Sequence, residues 1–91
     1  MIVTVEEMKN YLRIDFEEDD SLIENLIKEA QKLCMDVTRV TDQETFEELV
    51  GVRIPVMYAV SYLYEHREDA DHHRLILDLR SMLFGIREPG F

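Results

Sequence analysis

Between Asp20 and Val37, apolar side chains fall at Ile23, Leu26, Ile27, Ala30, Leu33, Cys34 and Val37. That spacing returns them to one face of an α-helix, whereas strand side chains would alternate every second residue. Glu24, Lys28, Lys32 and Asp36 take the other side, with Glu24 and Lys28 in the favourable i, i+4 order. A helix this long with one apolar face must be covered by other elements, so the rest of the chain has to supply a matching surface.

The remaining segments supply it as further helices. Thr4 and Glu7 stand three apart in the capping-box arrangement, and Val5, Met8 and Leu12 form an i, i+3, i+7 stripe. A short first helix ending near Leu12 follows from this. Residues 13–20 break the pattern, and the acids Glu17, Glu18, Asp19 and Asp20 suit the start of the next helix, where the dipole favours negative charge. Thr41, Asp42 and Thr45 read as turn or cap residues, and Phe46, Leu49 and Val50 as one or two helical turns ending at Gly51. Pro55 suits the first residue of a further helix, whose buried face is Val56, Ala59, Val60, Leu63 and Tyr64. Tyr58 and Tyr62 widen that face, which marks this helix as central. A last helix begins near Asp71 or His72 with Leu75, Ile76, Leu79, Met82 and Leu83 at helical spacing, and Gly85 stops it. The expected fold is all-α, a single domain over residues 1–91 built as a small bundle of three to four helices. Residues 84–91 form an extended tail that either packs on its own core or acts as a docking arm.

Charge is the second constraint. The 91 residues carry 20 acids against 10 bases, a formal charge of −10. Residues 1–50 hold 14 acids and 5 bases, and residues 51–91 hold 6 and 5, so the first half is acidic and the second nearly neutral. Such a chain repels a polyphosphate and is not a general nucleic-acid binder. All bases of the second half are Arg (Arg53, Arg67, Arg74, Arg80, Arg87), the cation favoured at protein interfaces. This asymmetry suits self-association. One cysteine excludes an internal disulfide and fits a reducing cytoplasm. No signal-peptide pattern and no long apolar run stand in the sequence, so a soluble intracellular protein without a membrane span is expected.

Sites of chemistry are few. An EF-hand starting at Asp15 would need Gly at Asp20 and Glu at Leu26, and both fail. His66, Asp69 and His73, with His72 adjacent, have helical spacing for a metal, but the Asp69–Ala70–Asp71 stretch reads as a break and a solvated corner. Cys34 lies on the apolar stripe and reads as a small core residue rather than a nucleophile. The three glycines form no phosphate-binding loop or nucleophile elbow, and no enzymatic activity is expected. An Arg- and aromatic-bearing C-terminus is what interface anchors favour.

Taken in order, several segments form a familiar series. Ile-Val-Thr-Val-Glu-Glu-Met-Lys-Asn-Tyr-Leu-Arg-Ile-Asp at residues 2–15 is followed by Glu-Asp-Asp-Ser-Leu-Ile-Glu-Asn-Leu-Ile at 18–27. Pro55 with Ala59, Val60 and Tyr64-Glu65-His66-Arg67-Glu68 comes next, and Ser81-Met-Leu-Phe-Gly-Ile-Arg-Glu closes the chain. The series resembles the phage head–tail connector family, also labelled DNA-packaging proteins, over nearly the whole chain. The resemblance implies a structural, non-enzymatic subunit without cofactor, made in the host bacterial cytoplasm and ending in the virion neck at the capsid portal vertex. It implies a homo-oligomeric ring under the portal protein that extends the DNA channel and receives a downstream neck or tail-completion protein. DNA would pass through without sequence-specific binding.

Charge fits that role: a DNA conduit should be acidic or neutral, since basic contacts would trap the phosphates. Head-to-tail ring closure needs two different complementary surfaces on each subunit. The expected subunit interface is Arg74, Arg80, Phe84, Ile86, Arg87 and Phe91, and the expected acidic lumen or repulsive surface is Glu17, Glu18, Asp19, Asp20 and Glu24. The competing reading is a small acidic helical regulator that binds another protein or mimics a nucleic acid.

Overall fold

A computed structural model describes residues 2–49 and 51–84. Among these residues the chain is all-α, with five helices in the order α1 (Val5–Leu12), α2 (Asp20–Thr38), α3 (Gln43–Glu48), α4 (Arg53–Glu65) and α5 (His72–Leu83). The stop expected at Gly85 and the expected tail beyond it lie outside the described residues.

The capping box at α1 is formed in both directions: the Glu7 N–H donates to Thr4 Oγ1 at 3.1 Å, and the Thr4 N–H donates to Glu7 Oε1 at 3.0 Å. Val3 and Met8, at the two positions a hydrophobic staple uses, are both fully buried. Both α1 and α2 end on an arginine in the left-handed region, Arg13 at φ 60° and Arg39 at φ 62°. After each, the chain reverses through the paired bonds of a Schellman turn, Ile14 N–H to Lys9 O and Arg13 N–H to Asn10 O, then Val40 N–H to Met35 O and Arg39 N–H to Asp36 O. Glycine is the usual residue there, because a Cβ costs energy in this conformation.

Two boundaries differ from the sequence reading. The short α3 ends at Glu48, ahead of Gly51; Asp42, one of the expected cap residues, opens it by accepting from the Thr45 N–H at 3.1 Å and from its hydroxyl at 2.7 Å. Pro55 is the third residue of α4 rather than the first. It is tolerated there because the opening N–H groups of a helix have no intrahelical partner. Asp19 precedes α2 without making a side-chain cap; its carboxylate is taken by Tyr64, whose hydroxyl donates to it at 2.7 Å.

The core is one cluster. Ile23, Ile27, Ala30 and Cys34 of α2 pack with Val56, Ala59, Val60 and Leu63 of α4 and with Leu75, Leu79 and Leu83 of α5, while Phe46 plugs it from α3. Three tyrosines of α4 brace it against its neighbours. Tyr58 donates to Asp78 of α5 at 2.7 Å, Tyr64 donates to Asp19 ahead of α2, and Tyr62 accepts from the N–H of Asp71, the cap of α5. Thr38, fully buried, donates back to the carbonyls of Cys34 and Met35. No described helix is long and apolar enough to cross a membrane.

Candidate assembly surfaces

α5 turns Leu75, Leu79 and Leu83 inward and leaves Leu77 and Phe84 outward, 47% and 77% exposed. Seven residues are close to two helical turns, so these two share a stripe, with Arg74 and Ser81 one turn to either side of Leu77. Arg74 Nε lies 3.9 Å from Asp78 of its own helix, and Asp78 also holds Tyr58. Arg80 is exposed and has no ion pair among the described residues. Thus Arg74, Arg80 and Phe84 of the expected interface are all at the surface of α5. Ile86, Arg87 and Phe91 lie outside the described residues.

The acidic set divides in two. Glu17, Glu18 and Glu24 are exposed, as is Phe16 at 44% beside them. Asp19 and Asp20 instead serve the fold: Asp19 accepts from Tyr64, and Asp20 pairs with Lys9 of α1 at 2.8 Å. Those contacts hold the Tyr64 phenol and the Lys9 ammonium in their protonated forms, and both pKa values lie above their ordinary ranges. Arg53 similarly pairs with Glu7, tying the start of α4 to α1.

A groove runs along the outer face of α2. At one end it is lined by Lys28, Gln31, Lys32, Met35 and Gln43, and it continues past Asp36, Arg39, Val40 and Thr41. A smaller hollow joins Asp36 and Arg39 to Ile76 and Arg80 of α5. The sequence carried the signal for this face: Lys28, Lys32, Met35 and Arg39 recur at i, i+4, i+7 and i+11. It reads there simply as a polar side, because sequence does not say which bases find partners. Glu24 and Lys28, though favourably ordered, make no ion pair among the described residues.

Of the positions that raise the question of chemistry, Cys34 and His66 make packing contacts. Cys34 is buried in the core, and burial pushes its thiol up to about 12, so it stays protonated and unreactive at neutral pH. His66 stacks on Tyr62 at 4.4 Å between ring centroids and faces Asp69 at 3.6 Å, while His72 and His73 begin a separate helix. No group of three or more potential metal ligands converges among the described residues.

With this architecture in place, comparison with known proteins is specific in one respect. The family model described as phage gp6-like head-tail connector protein matches residues 2–82. Searches of curated proteins and of solved structures returned no match. A match over that much of the sequence assigns the chain to the phage gp6-like head–tail connector family, whose members are structural connectors.

Proposed function

We propose, with that family membership as the premise, that this chain assembles with copies of itself into a ring beneath the phage portal. The ring extends the DNA channel and offers a platform to the next neck or tail protein, so its place is the virion neck, after assembly in the host cytoplasm. Residues 1–91 act as one domain in this role. The observation that carries the reading is the family match along most of the chain.

The surface is consistent with it. The stripe of Leu77 and Phe84 with Arg80 beside it is an apolar and cationic face of the kind that protein contacts bury, and it leads directly into residues 85–91. Ile86, Arg87 and Phe91 extend it as a docking arm. Of the expected acidic set, Glu17, Glu18 and Glu24 are the ones left to solvent, available to face passing DNA or a neighbouring subunit. DNA slides through without being gripped, because phosphate is repelled by a chain of net charge −10.

Light scattering across a concentration series, with negative-stain imaging, tests the reading on the chain alone and with a portal. Closed rings with an open centre are the expected result. A chain that stays monomeric even with a portal present contradicts it and favours an acidic regulator. Reversal of Arg80 and Arg87 to Glu, or removal of residues 85–91, should weaken assembly while leaving the helical spectrum in place.

A further inference from the structure

A chain with twice as many acids as bases places its unpartnered bases together. Lys9, Arg53 and Arg74 have ion pairs, and Arg67 lies over the Tyr64 ring at 4.6 Å. Arg13 aside, every other Lys or Arg among the described residues lines the α2 groove or the hollow beside it: Lys28, Lys32, Arg39 and Arg80. Lys28 and Lys32 stand at i, i+4, where like charges repel, so the arrangement does nothing for the isolated helix. Asp36 is the single acid among them. The groove also holds an unmet polar need. Gln31 is 6% exposed, and its Oε1 has no hydrogen-bond partner among the described residues. A buried carbonyl left in that state is costly, and a donor arriving from outside would relieve it. Met35 and Val40 add an apolar wall.

The loop ahead of α2 has the opposite character. Phe16 is a half-exposed ring flanked by Asp15, Glu17 and Glu18, all at the surface. We propose that this acidic loop of one copy seats in the α2 groove of the next. In that contact Phe16 lies against Met35 and Val40, Glu17 and Glu18 meet Lys28, Lys32 and Arg39, and a backbone N–H of the loop satisfies Gln31. The inference rests on the ring reading and gives that ring its subunit contact. Glu24 is left for the DNA-facing surface.

The geometry requires two copies. The loop precedes the first turn of α2 and the groove occupies its second half, so at 1.5 Å per residue they stand roughly 20 Å apart along one rigid helix. A chain cannot fill its own groove this way. Copies joined loop to groove form a head-to-tail series, which closes into a ring when the rotation per step divides the circle. The contact also answers the self-repulsion of so acidic a subunit, because each junction brings acids onto bases.

The test is a charge exchange on the full chain. Glu17→Lys with Glu18→Lys makes both surfaces basic, and Lys28→Glu with Lys32→Glu makes both acidic. Each variant alone should lose assembly by light scattering while keeping its helical circular dichroism, and an equimolar mixture should regain it, since every junction then pairs opposite signs. Variants that assemble like the parent, or a mixture that stays apart while the parent assembles, overturn the groove contact and leave the ring reading intact. A second measurement covers a parent contact too weak to scatter. Phe16→Cys and Lys32→Cys chains, mixed and oxidised, should give a disulfide-linked heterodimer, with buried Cys34 unable to compete. A Lys32→Cys chain that cross-links to a Phe91→Cys chain and not to the Phe16→Cys chain would overturn the choice of loop. Neither cross-link nor assembly, with or without a portal, would overturn the contact and the ring together.

Discussion

α2 and α4 are the two long helices that face each other through the core, and they spend their remaining surface differently. α4 is apolar over much of its circumference, and three of its hydroxyls are committed to the fold: Tyr58, Tyr62 and Tyr64 each reach a different neighbouring segment. α2 commits one face, from Ile23 to Val37, and leaves the other with Lys28, Lys32 and Arg39 facing solvent. The difference separates residues that hold the fold from residues available to a partner. Substitutions on α4 should therefore move stability, and those on the outer face of α2 should move assembly.

The largest effect is expected where the two helices meet. Ile27→Ala on α2 and Leu63→Ala on α4 each remove a buried aliphatic side chain and should cost about 2–5 kcal/mol. A domain of this size has about 5–15 kcal/mol in total, so urea melts followed by circular dichroism should resolve either loss clearly. Losses below ~1 kcal/mol at either site would mean that the interface is looser than the buried set describes.

The tyrosine braces come next. Tyr64→Phe and Tyr58→Phe each remove a donor to a carboxylate and should cost about 1 kcal/mol. They also set the alkaline limit of stability. Bonding to Asp78 and Asp19 raises the Tyr58 and Tyr64 pKa values above 10.0, and bonding to Asp20 raises that of Lys9 above 10.5. Below pH 10 these groups are protonated in folded and unfolded chains alike, so their contributions are present in full. Above it the unfolded chain loses protons first, and the contribution disappears as pH rises through the folded values. Thermal melts from pH 8 to 11 should show stability falling above pH 10, and falling less steeply in the double Phe variant. At the acid end the sign reverses for Asp42, held low first by the Thr45 hydroxyl and then by its N–H. Its contribution is present above pH 3.8 and is lost as pH falls through the lowered value.

How much of this was legible in the sequence depends on the kind of interaction. The apolar stripes of α2, α4 and α5 were legible because burial repeats with the helical period, and the Thr4 capping box because both partners lie within four residues. The bond that Asp19 makes was not legible, because its partner, Tyr64, is 45 residues away. The left-handed turns at Arg13 and Arg39 carried no glycine to mark them. Arg74, Arg80 and Phe84 were legible as surface candidates, since α5 shows its inward leucines plainly. The α2 groove was not, because it depends on which bases remain unpaired and on Gln31 being enclosed without a partner.

The two arginine turns allow fold and assembly to be separated at matched positions. Arg13→Gly and Arg39→Gly each remove a Cβ from the left-handed region and should stabilise the monomer by about 0.5–1 kcal/mol. Their local bonding is equivalent, so their melting shifts should agree. Only Arg39 lines the groove, so only Arg39→Gly should also weaken self-association. If both variants assemble equally well, Arg39 is a turn residue and nothing more.

The smallest effect on the fold is expected at the residues with the largest effect on assembly. Lys28→Ala and Lys32→Ala remove side chains that have no ion pair among the described residues, and alanine is the better helix former, so stability should stay within ~0.5 kcal/mol of the parent. Removing one of two like charges at i, i+4 pushes in the same direction. A destabilisation above ~1 kcal/mol would show that these lysines serve the fold, as the tyrosines of α4 do. An unchanged melting curve with lost self-association would instead place the division between fold and partner along the length of α2 itself, one face for each.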